Sequence, residues 1–224
     1  MTSTIPRTVL IDYGAGNLHS VHKALLRAGL SVTLTADPKE AADADALVLP
    51  GQGHFRQVME AFLASGFEPL VRRHLAAEKP FLGICVGLQL LMERSEEAPG
   101  VAGLGALKGE VKRFDDASVS VPQMGWNQIH PYGDPPLLEG VAAGAFAYFA
   151  NSYYVDFSGE MDAIPGATTR HGAVTFKSAV SQGHVHAAQF HPEKSQAVGL
   201  RVLTNFRKLV DMHVAASSSH REVS

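Results

Sequence analysis

The sequence predicts an α/β fold: an open, mostly parallel sheet with helices on both faces and antiparallel strands added to it. Three observations lead there. The first half alternates short apolar runs with segments of helical spacing, the order of repeated strand–helix–strand units. The second half changes to short strand candidates separated by turns rich in Gly, Pro and Asp. The composition is that of a globular chain: 224 residues, 46% hydrophobic and 18% charged, enough to bury a core without metal or disulfide.

Residues 8–11 form an apolar strand, and Asp12-Tyr13-Gly14-Ala15-Gly16-Asn17 turns tightly after it. Residues 18–28 carry apolar side chains at helical spacing, and Gly29 is placed to cap the helix C-terminus. Strands are expected at 30–35 and 46–49, the latter stopped by Pro50-Gly51. Helices are expected at 55–65 and 67–77. Pro80 opens the next strand, 81–84; Cys85 follows at once, and 86–94 has helical character. Further strands are expected at 110–114, 118–121, 127–130, 145–150, 153–157, 172–177 and 185–190, before a closing helix at 197–214. No internal repeat or long linker divides the chain, so 1–214 reads as a single domain. The Ser-rich end, 215–224, is expected to fray.

Charge and cysteine usage narrow the function. The net charge is −3 and no Lys/Arg run stands out, which argues against a nucleic-acid partner. No apolar run approaches the roughly 18 residues that span a bilayer. The N-terminal residues lack the pattern of a signal peptide, and the single cysteine suits a reducing compartment, so a cytoplasmic protein is expected.

That cysteine sits in the sharpest local signal, Gly83-Ile84-Cys85-Val86-Gly87. A strand runs into one reactive-type residue, flanked two positions away on each side by glycine, and a helix follows. This is a nucleophile elbow with Cys in place of Ser. The turn lifts the sulfur above the sheet and sets it at a helix N-terminus, where free N–H groups favour thiolate and can hold an oxyanion. A lone Cys is more often a small buried hydrophobe; the elbow tips the reading toward a nucleophile.

A cysteine nucleophile works with a base and a group that orients the base. Of the eleven histidines, most lie in helices, loops or turns with no such setting. His191 ends a strand candidate and is followed by Pro192-Glu193. Proline fixes the local backbone, so Glu193 can turn back to the imidazole and hold its tautomer. Cys85 and His191 both stand at strand C-termini, the sheet edge where open α/β folds bind ligands.

Gly83-Ile84-Cys85-Val86-Gly87-Leu88-Gln89 and Gln189-Phe190-His191-Pro192-Glu193 together resemble the class I (triad) glutamine amidotransferases, across most of the chain. Five further stretches resemble one branch of that class, the glutaminase subunits of imidazole glycerol phosphate synthases in histidine biosynthesis. They are Asp12 to Asn17, Leu49-Pro50-Gly51-Gln52-Gly53, Pro122-Gln123-Met124-Gly125-Trp126-Asn127, Ser152-Tyr153-Tyr154 and His191-Pro192-Glu193-Lys194-Ser195. Two positions depart from that pattern: Gln123 and Asn151 each stand where a His is usual.

The resemblance implies a catalytic triad of Cys85, His191 and Glu193, with hydrolysis of glutamine to glutamate and ammonia through a Cys thioester. It implies an oxyanion site from the backbone near Val86 and Gly51, Gln52 and Gly53, and substrate contacts from Gln89, Glu97, Ser152 and Tyr153. Trp126 and Asn127 would face a partner. That partner would be a separate (β/α)₈-barrel cyclase chain forming a heterodimer and receiving the ammonia. No cofactor and no metal is implied. Rival readings are a glutaminase subunit of another pathway, such as anthranilate or pyridoxal phosphate synthesis, a γ-glutamyl hydrolase, or a regulatory subunit that has lost the chemistry.

Overall fold

A computed structural model describes residues 5–115, 117–156 and 159–221. The first half forms as its periodicity predicts. β1 (Arg7–Ile11), α1 (Leu18–Arg27), β2 (Ser31–Thr35), β3 (Ala46–Leu49), α2 (Phe55–Ala64), α3 (Glu68–Ala76), β4 (Phe81–Ile84) and α4 (Val86–Leu91) follow one another. Asn17 caps α1 through its side chain, and Gly29 (φ 88°) ends it as expected. Every residue of β3 and β4 is buried, as strands covered by helices on both faces must be.

The second half contains β5 (Arg94–Ser95), β6 (Glu110–Arg113), β7 (Gln123–Tyr132), β8 (Ala145–Asn151), β9 (Tyr153–Val155), β10 (Gly166–His171), β11 (Val174–Gln182), β12 (Val185–Ala188) and α5 (Gln196–Arg221). Among the described residues one mixed sheet runs β2-β1-β3-β4-β12-β11-β10-β7-β8, with β5, β6 and β9 as a side branch reaching β11. Strands β2 to β12 along this path are parallel; from β12 onward each pairing is antiparallel. This is the open, mixed α/β architecture the sequence predicts.

Several boundaries differ. Residues 118–121 form turns and bends rather than a strand. The helix after Cys85 stops at Leu91, because Met92 turns extended and Arg94–Ser95 pairs with Glu110–Val111. The expected strand at 172–177 begins after a turn at Gly172-Ala173 and runs on to Gln182; β10, which pairs with it, was not expected at all. Phe157, expected to end a strand, lies outside the described residues. Where the sequence suggests fraying, α5 continues to Arg221. Ala215 and Ala216 are strong helix formers, no Gly or Pro interrupts them, and Ser218 Oγ donates back to the Val214 carbonyl at 2.9 Å. Residues 222–224 lie outside the described part.

Aromatic rings fill the antiparallel half. Phe114 stacks on Tyr154 at 4.6 Å, and the contacts continue through Phe176 and Phe149 to Phe190. Phe190 is fully buried and immediately precedes His191, so this core anchors the site.

Candidate active site

Strand register brings the candidate residues together. β4 and β12 are parallel neighbours with Ile84 opposite Ala188. Cys85 and Gln189 therefore leave the same edge of the sheet side by side, and the Cys85 N–H donates to the Ala188 carbonyl at 2.8 Å. Cys85 stands between β4 and α4 with φ 54° and ψ −111°, a backbone strain of about 1–3 kcal/mol that only a well-determined turn maintains. The elbow glycines permit the tight path. A Cβ at Gly87 would lie 2.0 Å from the Leu49 carbonyl oxygen, and one at Gly83 would lie 2.9 Å from that of Gly87.

The side chains of His191 and Glu193 are both almost wholly buried, with His191 Nδ1 2.8 Å from Glu193 Oε1. Burial alone lowers the pKa of His191. Hydrogen bonding and charge from Cys85 and Glu193 outweigh it and raise the value to about 10, so the ring is held protonated at neutral pH. No hydrogen bond of normal geometry reaches His191 Nε2 among the described residues, yet Cys85 is near enough to contribute to that rise.

A cleft of about 270 Å³ opens over the sulfur. Gln52, Gly53, Cys85, Val86, Gln89, Glu97, Ser152 and Tyr153, all singled out by sequence, lie along it, together with Pro122, Met124, Ala150 and Asn151. Glu97 also accepts the Phe55 N–H at 2.7 Å, tying the cleft wall to the start of α2.

Gly51, also singled out by sequence, does not line the cleft but packs against Val86 and Gly87. Its carbonyl accepts the Val86 N–H at 3.4 Å, so the donor expected to hold an oxyanion is engaged by the loop itself. The approach is close: a Cβ on Gly51 would come within 2.8 Å of Gly87 N and Val86 Cβ. Tyr13 holds the same loop by donating its buried hydroxyl to the Pro50 carbonyl. Burial, and then the charge of Cys85, push the Tyr13 phenol well above its usual range, so it stays a donor.

Trp126 and Asn127 stand apart from the cleft on β7. Trp126 is 46% exposed, beside the exposed Met124 and Phe146, while Asn127 Nδ2 donates to the Arg170 carbonyl at 2.9 Å. Gln123 and Asn151, the two departures from the His pattern, are direct cross-strand partners in β7 and β8, both buried. Both amide atoms of Gln123 and Asn151 Oδ1 make no hydrogen bond among the described residues.

Sequence reasoning missed two supports. Ser195 Oγ donates to the His191 carbonyl at 2.7 Å and accepts the Tyr148 N–H at 2.9 Å, clamping the His191–Glu193 turn to β8. Gln189 Nε2 lies 3.6 Å from Cys85 Sγ. Their place in the motif was the available signal, but only the three-dimensional contacts give them work. Among the described residues no three His, Cys, Asp or Glu side chains gather as metal ligands. No helix among them is long and apolar enough to cross a membrane.

The family model for glutamine amidotransferase class-I matches residues 9–209. The chain belongs to this family. The imidazole glycerol phosphate synthase subunit HisH of Deinococcus radiodurans is 54% identical over 204 residues, covering 91% of this chain and 94% of that one. A HisH subunit of Thermus thermophilus is 49% identical over 207 residues, covering 92% and 99%. Among solved structures, a glutamine amidotransferase superposes with a TM-score of 0.68 at 20% identity, covering 90% of this chain and 98% of that one. PurLQS from Thermotoga maritima superposes with 0.66 at 16% identity, covering 94% and 100%. At these identities the structural likeness speaks for the fold.

Proposed function

We propose that this chain is the glutaminase subunit of an imidazole glycerol phosphate synthase, supplying ammonia for L-histidine biosynthesis. The observation that carries the chemistry is a lone cysteine strained onto a strand-to-helix elbow beside the buried, carboxylate-paired His191. Nearly full-length likeness to HisH subunits supports the pathway.

Glutamine enters the cleft with its side-chain carboxamide over Cys85. The thiolate attacks the amide carbon, and the protonated His191, its pKa raised to about 10, gives its proton to the leaving ammonia. A thioester remains on Cys85. Water, deprotonated by His191, then attacks it and releases glutamate. Glu193 keeps the imidazole oriented and stabilises its charged form. Gln52, Gln89, Glu97, Ser152 and Tyr153 line the space for the amino-acid end of the substrate.

The oxyanion needs the Val86 N–H, which the Gly51 carbonyl holds. Turning the Gly51-Gln52 peptide would free that donor and present a second one. In this reading the chain is a poor glutaminase alone and a good one when a partner shifts the loop. The partner is a separate (β/α)₈-barrel cyclase that takes the ammonia and forms a heterodimer through the exposed face of Met124, Trp126 and Phe146. It uses the ammonia to make imidazole glycerol phosphate, with an aminoimidazole carboxamide ribotide as the other product. A cytoplasmic location belongs to the same reading, supported by the single unpaired cysteine.

The test is glutamate release from glutamine with and without the cyclase and its nucleotide ligand, with Cys85→Ala as control. Strong release only with both, abolished by the substitution, is expected. Full-rate release by the isolated chain would refute the loop-gating reading, and release that survives Cys85→Ala would refute the nucleophile.

A further inference from the structure

The sulfur of Cys85 has a neighbour outside the triad. Gln189 is fully buried, its backbone N–H is tied to the Ser178 carbonyl at 2.9 Å, and its Nε2 lies 3.6 Å from Cys85 Sγ. Its other amide atom, Oε1, accepts from Gln89 Nε2 at 3.1 Å, and the same Gln89 nitrogen donates to the Tyr153 carbonyl at 3.3 Å.

The polarity of this relay is dictated from one end. A backbone carbonyl can only accept, so Gln89 must turn its NH₂ group toward Tyr153. That same NH₂ then faces Gln189, whose oxygen must point back at it. The remaining end of Gln189, facing the sulfur, is therefore NH₂. Two carboxamides in series carry the preference of a main-chain carbonyl to the nucleophile. Both amide protons of Gln89 are spent on this, leaving only its oxygen for a ligand in the cleft.

We propose that Gln189 is a positioning residue for the nucleophile, donating a hydrogen bond to Cys85 Sγ with an orientation enforced through Gln89 by the Tyr153 carbonyl. A donor aimed at sulfur favours thiolate over thiol, because hydrogen bonds to charged acceptors are about twice as strong as neutral ones. It also holds the sulfur through a group other than His191, so the side chain stays aimed while the imidazole moves its proton to the leaving ammonia. This inference rests on Cys85 being the nucleophile.

The experiment follows alkylation of the full chain by iodoacetamide across pH; Cys85 is the lone cysteine, so the signal has one source. Gln189→Met keeps the length of the side chain and removes the donor; Gln189→Glu places a negative charge beside the sulfur. The pH midpoint of alkylation should rise by about one unit in Gln189→Met, the scale of one hydrogen bond to a charged group, and further in Gln189→Glu. The partner-stimulated kcat should fall about tenfold in Gln189→Met, with KM for glutamine nearly unchanged. A midpoint that stays put in a Gln189→Met protein with wild-type thermal stability would overturn the proposal. If that variant does not fold, Gln89→Met frees the relay at its other joint and should move the midpoint the same way; no movement there overturns it equally. Glutamate release that persists in Cys85→Ala would instead remove the nucleophile reading, an outcome separate from either alkylation result.

Discussion

Ser195 sets the geometry of His191 without reaching the cleft. It bridges the His191 carbonyl and the Tyr148 N–H from a wholly buried position. Ser195→Ala leaves two buried backbone groups without that bridge. It should cost about 1–3 kcal/mol in a urea-unfolding measurement, and lower kcat, because the turn carrying His191 and Glu193 loosens. Glu193 acts directly on the ring. Glu193→Gln removes a charge that helps raise His191 to about 10, so the imidazole titration followed by NMR should move down in pH. Glutaminase activity should fall by roughly 10²-fold, since the proposed proton donor, His191, is then less often charged and less firmly oriented. A titration unchanged by Glu193→Gln would leave Cys85 as the source of the rise.

At the scale of elements, the elbow depends on two backbones touching. β3 ends where α4 begins, and Gly87 lies against the Leu49 carbonyl with no room for a methyl group. Gly87→Ala should therefore unfold the local packing rather than tune it, lowering the thermal midpoint by several degrees and abolishing glutamate release together. The β7–β8 ribbon presents the opposite case. Trp126 packs edge-on against Tyr148 yet is 46% exposed, so Trp126→Ala should leave the thermal midpoint nearly unchanged. Binding to the proposed cyclase partner, measured by calorimetry, should weaken at least tenfold, because exposed aromatic anchors carry much of an interface's energy.

At the scale of the whole molecule, three buried histidines shape the pH dependence of stability in opposite directions. Burial lowers His74 and His186 to about 4, against 6.5 in an unfolded chain. As pH falls, the unfolded chain takes up these protons first, so their contribution is complete above 6.5 and is lost as pH drops through 4. Each amounts to roughly 3 kcal/mol at full extent. His191 is raised to about 10, so its contribution is complete below 6.5 and is lost as pH rises through 10. Unfolding free energy should therefore peak near pH 6.5. Replacing both His74 and His186 with Gln should flatten the acid side and leave the alkaline side alone, as urea titrations at a series of pH values would reveal.

Features encoded within a few neighbouring residues were legible before folding. The parallel half was one, because strands buried on both faces read as unbroken apolar runs and its helices repeat at 3.6 residues. The elbow was another, because Gly83, Cys85 and Gly87 lie within one turn. So was the His191–Glu193 pair, whose members stand two residues apart on either side of a proline. Features that depend on register or on distant partners needed the folded chain. β10 mixes Thr, Arg and His with small residues and has no clear alternation; it is a strand because β7 and β11 flank it. The β4–β12 register, not any local pattern, sets Cys85 beside Gln189 and near His191. The pairing of Gln123 with Asn151, and the Gly51 carbonyl resting on the Val86 N–H, likewise belong to the folded chain alone. A local motif fixes backbone shape through sterics that neighbours share. A hydrogen bond between residues a hundred positions apart exists only after the sheet has brought their strands together.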